Sequence, residues 1–331
     1  MVITQTPLRV SFWGGGTDLS DFYTKHGGAV ISATIDKYIY LIVKSRYDDS
    51  IVLNYSEKET VSEVGKIRHN IFREALKLTG IAGGVEITSI ADIPSQGSGL
   101  GSSSSFTVGL LNALYAYIGS PKGPAELAEL ACHIEIDILG EPIGKQDQYA
   151  AAFGGFRRYL FLPDGRVQVE PIGISERDII RIQRACRIFY TGITRNASSV
   201  LSEQQKNIGN NIDALLKLKE YAMTADSLLR DADMAAIGRL LNEGWSEKKK
   251  LAARVSNAEI DSIYDRAIAA GATGGKLLGA GGGGFYLFVG PGEKLEKLQT
   301  ALRELSELPF SFTRYGSKVI MNMEENVHQL K

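Results

Sequence analysis

Three glycines at alternate positions, Gly97, Gly99 and Gly101, lead directly into four consecutive hydroxyls, Ser102 to Ser105. They lie in the stretch Pro94-Ser95-Gln96-Gly97-Ser98-Gly99-Leu100-Gly101-Ser102-Ser103-Ser104-Ser105. Bare backbone of this kind admits positive φ and lets a polyphosphate approach a nest of amide hydrogens. Upstream, Val85, Ile87 and Ile90 alternate like a strand; downstream, Phe106, Leu110, Leu114 and Tyr117 recur at helical spacing until Gly119 and Pro121. The serines therefore open a helix, where amides lack intrahelical partners and the helix dipole is positive, so an anion belongs there. An ordinary serine cap would use one hydroxyl, not four. The common nucleotide signatures are absent: no Gly-Lys-Ser/Thr closes the loop, and Ser102 stands where G-x-G-x-x-G needs its last glycine.

Other residues stand out against their surroundings. Arg9 lies in an apolar alternating run with Val2, Ile3, Leu8, Val10 and Phe12, where a charge needs a partner or a task. The run meets Gly14-Gly15-Gly16-Thr17-Asp18, so Asp18 is a short acceptor beside glycines. It suits sugar hydroxyls, and equally an N-cap or Asx-turn for residues 19–23. Asp147, in Lys145-Gln146-Asp147-Gln148, follows the breaker Gly140-Glu141-Pro142-Ile143-Gly144. A second glycine cluster, residues 274–284, precedes the strand-like run 285–289; such density costs backbone entropy and implies close approach by another group.

The elements that must position these residues divide the chain. Residues 28–45 read as one or two strands and 51–54 as another, in an antiparallel or mixed sheet. A helix is expected from about 64 to 78. Another should run from Pro124 to Leu139, with Leu127, Leu130, Ile134 and Ile138 as its stripe and Glu126, Glu129, Glu135 and Asp137 elsewhere. A hairpin is expected at 159–162 and 167–169 around Pro163-Asp164-Gly165. From about 176 the pattern is mostly helical (roughly 197–207, 211–230, 233–253 and 257–270), apart from a strand at 186–190. A helix through Leu295 and Leu302 and a last strand at 319–323 follow. Two domains are expected, 1–175 and 176–331, as the length of 331 residues suggests.

The balance of 37 basic and 38 acidic residues gives no general field for nucleic acid or membrane, so an anionic ligand must be held locally. Cys132 and Cys186, in apolar surroundings without metal or redox spacing, read as reduced core residues of a cytoplasmic protein. The N-terminus has no secretory pattern and no apolar run approaches membrane-spanning length.

Three segments, in order, resemble the motifs of the GHMP family of small-molecule kinases. They are Thr6-Pro7-Leu8-Arg9-Val10-Ser11-Phe12 leading to Gly15-Gly16-Thr17-Asp18; Pro94 to Ser104, similar to P-x-x-x-G-L-G-S-S-A-A; and Lys276 to Gly284, similar to the G-A-G-x-G-G loop. The resemblance implies a two-domain α+β fold with the active site in the cleft between domains. It also implies ATP and Mg²⁺ as cofactors and a small-molecule sugar or sugar-phosphate acceptor. Pro94, Gly97, Ser98, Gly99, Leu100, Gly101, Ser102, Ser103 and Ser104 would bind ATP, and Ser103 with Glu135 would hold the metal. Asp147 and Arg9 take the catalytic positions. Gly15, Gly16, Thr17, Asp18, Lys145, Arg195, Gly281 and Gly282 are the acceptor-binding candidates.

Within the family, the glycine turn to Asp18, Gly27-Gly28-Ala29-Val30 and Ala33-Thr34-Ile35-Asp36-Lys37-Tyr38 look most like the heptose 7-phosphate kinases. That likeness implies phosphorylation of the anomeric hydroxyl of D-glycero-D-manno-heptose 7-phosphate. A phosphorylated acceptor needs basic residues, for which Lys145, Arg157, Arg158 and Arg195 are candidates; Arg195 reads equally as a surface arginine near a helix start. A kinase for an unphosphorylated sugar and a non-catalytic sugar or nucleotide sensor are the competing readings. Whether the chain forms a homodimer is left open.

Overall fold

The computed structural model describes residues 1–93, 97–194 and 197–323. The larger sheet contains β1 (Val2–Trp13), β2 (Gly28–Ser45), β3 (Ile51–Asn54), β4 (Lys58–Val61), β5 (Val85–Ala91), β6 (Phe156–Phe161) and β7 (Val167–Pro171). β2 organises it. Its residues 31–43 run antiparallel to β1, while residues 28–33 pair with β6 and residues 39–45 with β5. β3 lies parallel to β5, making the sheet mixed.

Around this sheet stand α1 (Ser20–His26), α2 (Asn70–Thr79), α3 (Ser102–Tyr117), α4 (Pro124–Cys132) and α5 (Gln146–Phe153). Helix α3 buries nearly its whole circumference, with Leu110, Leu111 and Leu114 in the same core as Leu8, Ile35 and Leu41. Gly109 lets it approach β1: a Cβ there would stand 2.6 Å from Thr6 Oγ1. That contact explains a glycine inside a helix, which otherwise costs about 1 kcal/mol.

The remaining helices are α6 (Glu176–Arg184), α7 (Ala197–Lys206), α8 (Ile212–Thr224), α9 (Asp226–Arg230), α10 (Met234–Lys249), α11 (Ala258–Ala269) and α12 (Gly292–Ala301). The smaller sheet joins β8 (Cys186–Tyr190), β9 (Gly274–Leu277), β10 (Phe285–Val289) and β11 (Ser306–Glu307) in the order β11-β8-β10-β9. A last strand, β12 (Lys318–Asn322), returns to the larger sheet and pairs antiparallel with β1. Residues 318–322 thus pair with the first sheet, across the expected boundary near 175. No helix among the described residues is long and apolar enough to cross a membrane.

Three local expectations change. The helix anticipated at 64–78 is a 3₁₀ turn, Val64–Lys66, followed by α2 from Asn70, with the ring nitrogen of His69 accepting from the Phe72 amide at its start. The helix anticipated at 124–139 leaves α geometry at Cys132 and continues as a π-helical segment, His133–Ile138. The second glycine cluster, expected only to precede the strand at 285–289, supplies a strand of its own, β9, which pairs with β10.

Candidate active site

Strand β1 carries Arg9 into the interior, where it is 3% exposed. Its amide donates to the Leu100 carbonyl at 3.0 Å, so the glycine loop is tied to β1 through backbone. The guanidinium grips Asp147 with both arms, Nε to Oδ1 at 2.7 Å and Nη2 to Oδ2 at 2.6 Å, and donates through Nη1 to the Gly99 carbonyl at 2.6 Å. Such a fork fixes both planar groups and identifies the partner that buried Arg9 required. Asp147, which follows the breaker at 140–144, lies in the first turn of α5.

The glycine loop ends at Gly101, which adopts φ +79° at the N-terminus of α3. Gly99 has φ +75°, and a Cβ there would stand 2.4 Å from the Leu278 carbonyl oxygen; one on Gly279 would reach 2.6 Å from Gly99 Cα. The two glycine loops therefore cross backbone to backbone. Behind Gly101, Ser103 Oγ donates to Glu135 Oε1 at 2.9 Å, and Gln148 Nε2 donates to Glu135 Oε2 at 2.7 Å. Glu135 is buried inside the π-helical segment, a geometry often found at functional sites. Burial pushes its carboxyl pKa up, while hydrogen bonds from Ser104, Gln148, Ser103 and Thr107 draw it back, and burial prevails.

Asp18 is buried and accepts from the amides of Gly16 at 3.0 Å and Gln146 at 3.3 Å. It does not cap α1, which follows Leu19 with no side-chain cap. Burial, and then Asp147, raise the Asp18 pKa against the pull of those amides. Gln146 links the acids further: Ser11 Oγ donates to Gln146 Oε1 at 2.7 Å, and Gln146 Nε2 donates to Asp147 Oδ1 at 2.9 Å.

These groups line one cavity of about 580 Å³, within the range of small-ligand sites. Arg9, Gly15, Gly16, Asp18, Gly97, Ser98, Gly99, Gly101, Ser102, Ser103, Ser104, Glu135 and Asp147 all border it. Several candidates do not. Leu100 is in the core, and Thr17 is fully buried with its hydroxyl bonded to the Ala29 backbone. Lys145 Nζ donates to the Gly165 carbonyl at 2.9 Å, away from the cavity. Gly281 and Gly282 pack on Val255, leaving Gly279 and Ala280 at the cavity wall. Arg157 bonds the Gly154 carbonyl, and Arg158 bonds Glu170 and the Met223 carbonyl. Pro94 and Arg195 lie outside the described residues.

Sequence reasoning missed Ser11, Gln146 and Lys248, all at the wall. Gln146 and Ser11 carry no local signal, and Lys248 sits in a triple lysine run that reads as a solvated helix end. Among the described residues no three His, Cys, Asp or Glu side chains cluster as a metal cage. The Ser103 and Glu135 oxygens instead suit a hard cation that takes its other ligands from water and phosphate.

Residues 65–155 match the N-terminal domain of the GHMP kinases, and residues 225–307 match the GHMP kinases C-terminal domain. The chain is 35% identical to the D-glycero-alpha-D-manno-heptose 7-phosphate kinase of Campylobacter jejuni, over 95% of this chain and 97% of that one. It is 27% identical to the galactokinase of Pyrococcus furiosus, covering 91% and 92% of the two chains. Its fold superposes with a TM-score of 0.82 on a D-glycero-D-manno-heptose 1-phosphate kinase from Bacteroides thetaiotaomicron, at 28% identity over 97% and 99%. The chain belongs to the GHMP kinases, as its three motifs led one to expect, and is an ATP-dependent kinase that phosphorylates a hydroxyl.

Proposed function

We propose that the chain transfers the γ-phosphoryl group of ATP to the anomeric hydroxyl of a sugar phosphate. The acceptor is D-glycero-D-manno-heptose 7-phosphate, and the 1,7-bisphosphate product serves synthesis of a nucleotide-activated heptose. The observation that carries this reading is the Arg9–Asp147 fork beside the amides that open α3, with Asp18 held nearby through Gln146. The 35% identity to a heptose 7-phosphate kinase supports the choice of acceptor.

In this reading the amides from Gly97 to Ser104 hold the β and γ phosphates, and Ser103 and Glu135 hold Mg²⁺. Bound there, the metal supplies neutralisation of phosphate charge. Asp147 accepts the hydrogen bond, and then the proton, of the attacking hydroxyl; an O–P bond forms to the sugar as the bond to the β-phosphate oxygen breaks and ADP leaves. Arg9 keeps the Asp147 carboxylate in one orientation and faces the charge that develops on the transferring group. Asp18 and the Gly15–Gly16 backbone receive sugar hydroxyls.

A coupled ADP-release assay over phosphorylated and free sugars tests this. Turnover on heptose 7-phosphate should exceed that on galactose or fucose. Faster turnover on a free sugar would replace this acceptor, and no ADP release on any sugar would remove the sugar-kinase reading altogether.

A further inference from the structure

Gln148 is fully buried, yet only one end of its amide is occupied. Its Nε2 donates to Glu135 Oε2 at 2.7 Å, while its Oε1 meets no hydrogen-bond partner among the described residues. An orphaned buried acceptor costs about 1–3 kcal/mol, which methionine or leucine in the same space would not incur. Packing alone therefore does not account for an amide here. The carboxylate does, because an ionised carboxylate presents only acceptors and the Gln148 side chain brings it a donor.

Two helices converge on that carboxylate. From α3, Ser103 Oγ donates to Oε1 at 2.9 Å, and Ser104 and Thr107 also bond to it. From α5, Gln148 holds the other oxygen. Asp147 and Gln148 are neighbours in the first turn of α5, so their side chains diverge by about 100° around the helix. Asp147 borders the cavity and Gln148 does not, which turns the second toward the interior. One residue on, the Tyr149 hydroxyl bonds Glu129 Oε1 on α4, the helix that continues into the π-helical segment carrying Glu135. Three successive side chains of α5 thus bond Arg9, Glu135 and the helix that leads to Glu135.

We propose that Gln148 is a positioning residue for the metal site, holding Glu135 Oε2 so that the carboxylate faces the cavity beside Ser103. This rests on the reading of Ser103 and Glu135 as the Mg²⁺ ligands. In that reading Ser103 is a ligand and an orienting group at once, whereas Gln148 lies behind the cavity wall and serves only to orient. Outer partners of this kind fix the direction of a ligating carboxylate, and their loss typically weakens metal binding about 10- to 100-fold. The placement also ties the carboxylate to the same helical turn as Asp147, so that one element sets both.

Mn²⁺ titrated into enzyme held in excess over ADP, followed by the electron paramagnetic resonance of the free ion, tests the assignment without turnover. Gln148→Met removes the donor and the orphaned oxygen together and keeps a similar volume. It should weaken Mn²⁺ binding about 10- to 100-fold. Calorimetric affinity for ADP in EDTA should be unchanged, which also reports a folded site. In the Glu135→Gln background the same substitution should have little further effect, because it acts through that carboxylate. Unchanged Mn²⁺ affinity in Gln148→Met would overturn the proposal. So would an equal loss in the Glu135→Gln background, or a matching loss of metal-free ADP affinity, since either would mean that Gln148 only packs. If methionine prevents folding, Gln148→Asn, which keeps the amide but draws it back by one methylene, carries the same comparison. Glu135→Gln that by itself leaves Mn²⁺ affinity unchanged would refute the metal site, whatever Gln148 does.

Discussion

Oδ1 of Asp147 accepts from Arg9 and Gln146, whereas Oδ2 accepts from Arg9 and keeps a lone pair for an acceptor hydroxyl, and the side chain remains 26% exposed toward the cavity. Asp147→Asn keeps the shape and removes the charge. Turnover should fall by about 10²- to 10⁴-fold, the usual value of a positioned base, while calorimetry shows nearly unchanged ATP affinity. Wild-type turnover in that variant would end the assigned role. Glu135 lends itself to a different measurement, because burial raises its pKa above the ordinary 4.5. The folded chain then holds this proton more tightly than the unfolded chain. Its contribution to stability is complete below 4.5 and is lost as pH rises through the folded value. Glu135→Gln should therefore melt higher than wild type above that window when substrate-free. It should also forfeit most of the stabilisation that saturating Mg-ATP gives an intact site, about 2.7 kcal/mol at a hundredfold excess over Kd. An undiminished Mg-ATP gain in Glu135→Gln would show that this carboxylate holds no metal.

Among the elements, the crossing of the two glycine loops sets the cavity's floor. Gly99→Ala should be worse than Gly119→Ala, although both sites have positive φ, +75° and +72°. Each substitution pays about 1–2 kcal/mol for left-handed backbone. At Gly119 nothing lies within 4 Å, whereas at Gly99 the new methyl meets the Leu278 carbonyl. Thermal melts and ATP KM should separate the two variants, and equal losses would mean that the crossing does not hold the loop. The glycine loop, α3, β5, the β6–β7 hairpin and β8 were legible in the sequence because each rests on local periodicity and local breakers. The π-helical turn at Glu135 was not, since apolar spacing at Ile134 and Ile138 suits an α-helix equally well. Helix α5 was hidden by its start among glycines, and the β9–β10 pairing by the glycines of β9. Glu135, singled out by the family resemblance, borders the cavity all the same. Lys145 was misread because charge shows in a sequence and direction does not; its amine turns to the hairpin at Gly165.

At the scale of the whole molecule, the two sheets meet through Lys276 on β9 and the end of β1. The register between β1 and β2 skips at Phe12, a bulge that takes its carbonyl out of the ladder, and Lys276 supplies a donor to it. Burial, then Lys248, then Arg9 hold the amine's pKa well below the usual 10.5. A base depressed in this way is bound to fewer protons in the folded chain than in the unfolded one. Its favourable contribution is therefore complete above 10.5 and is lost as pH falls through the folded value. Lys276→Met removes that dependence and also leaves the Phe12 carbonyl without this donor, a fixed loss of about 1–3 kcal/mol. The melting point of Lys276→Met relative to wild type should consequently be most favourable at low pH and decline steadily toward pH 10, where only the lost hydrogen bond remains. A difference that stays flat across that range would mean the amine is not buried at the seam, and the close approach of the C-terminal glycine hairpin to β1 would need another cause.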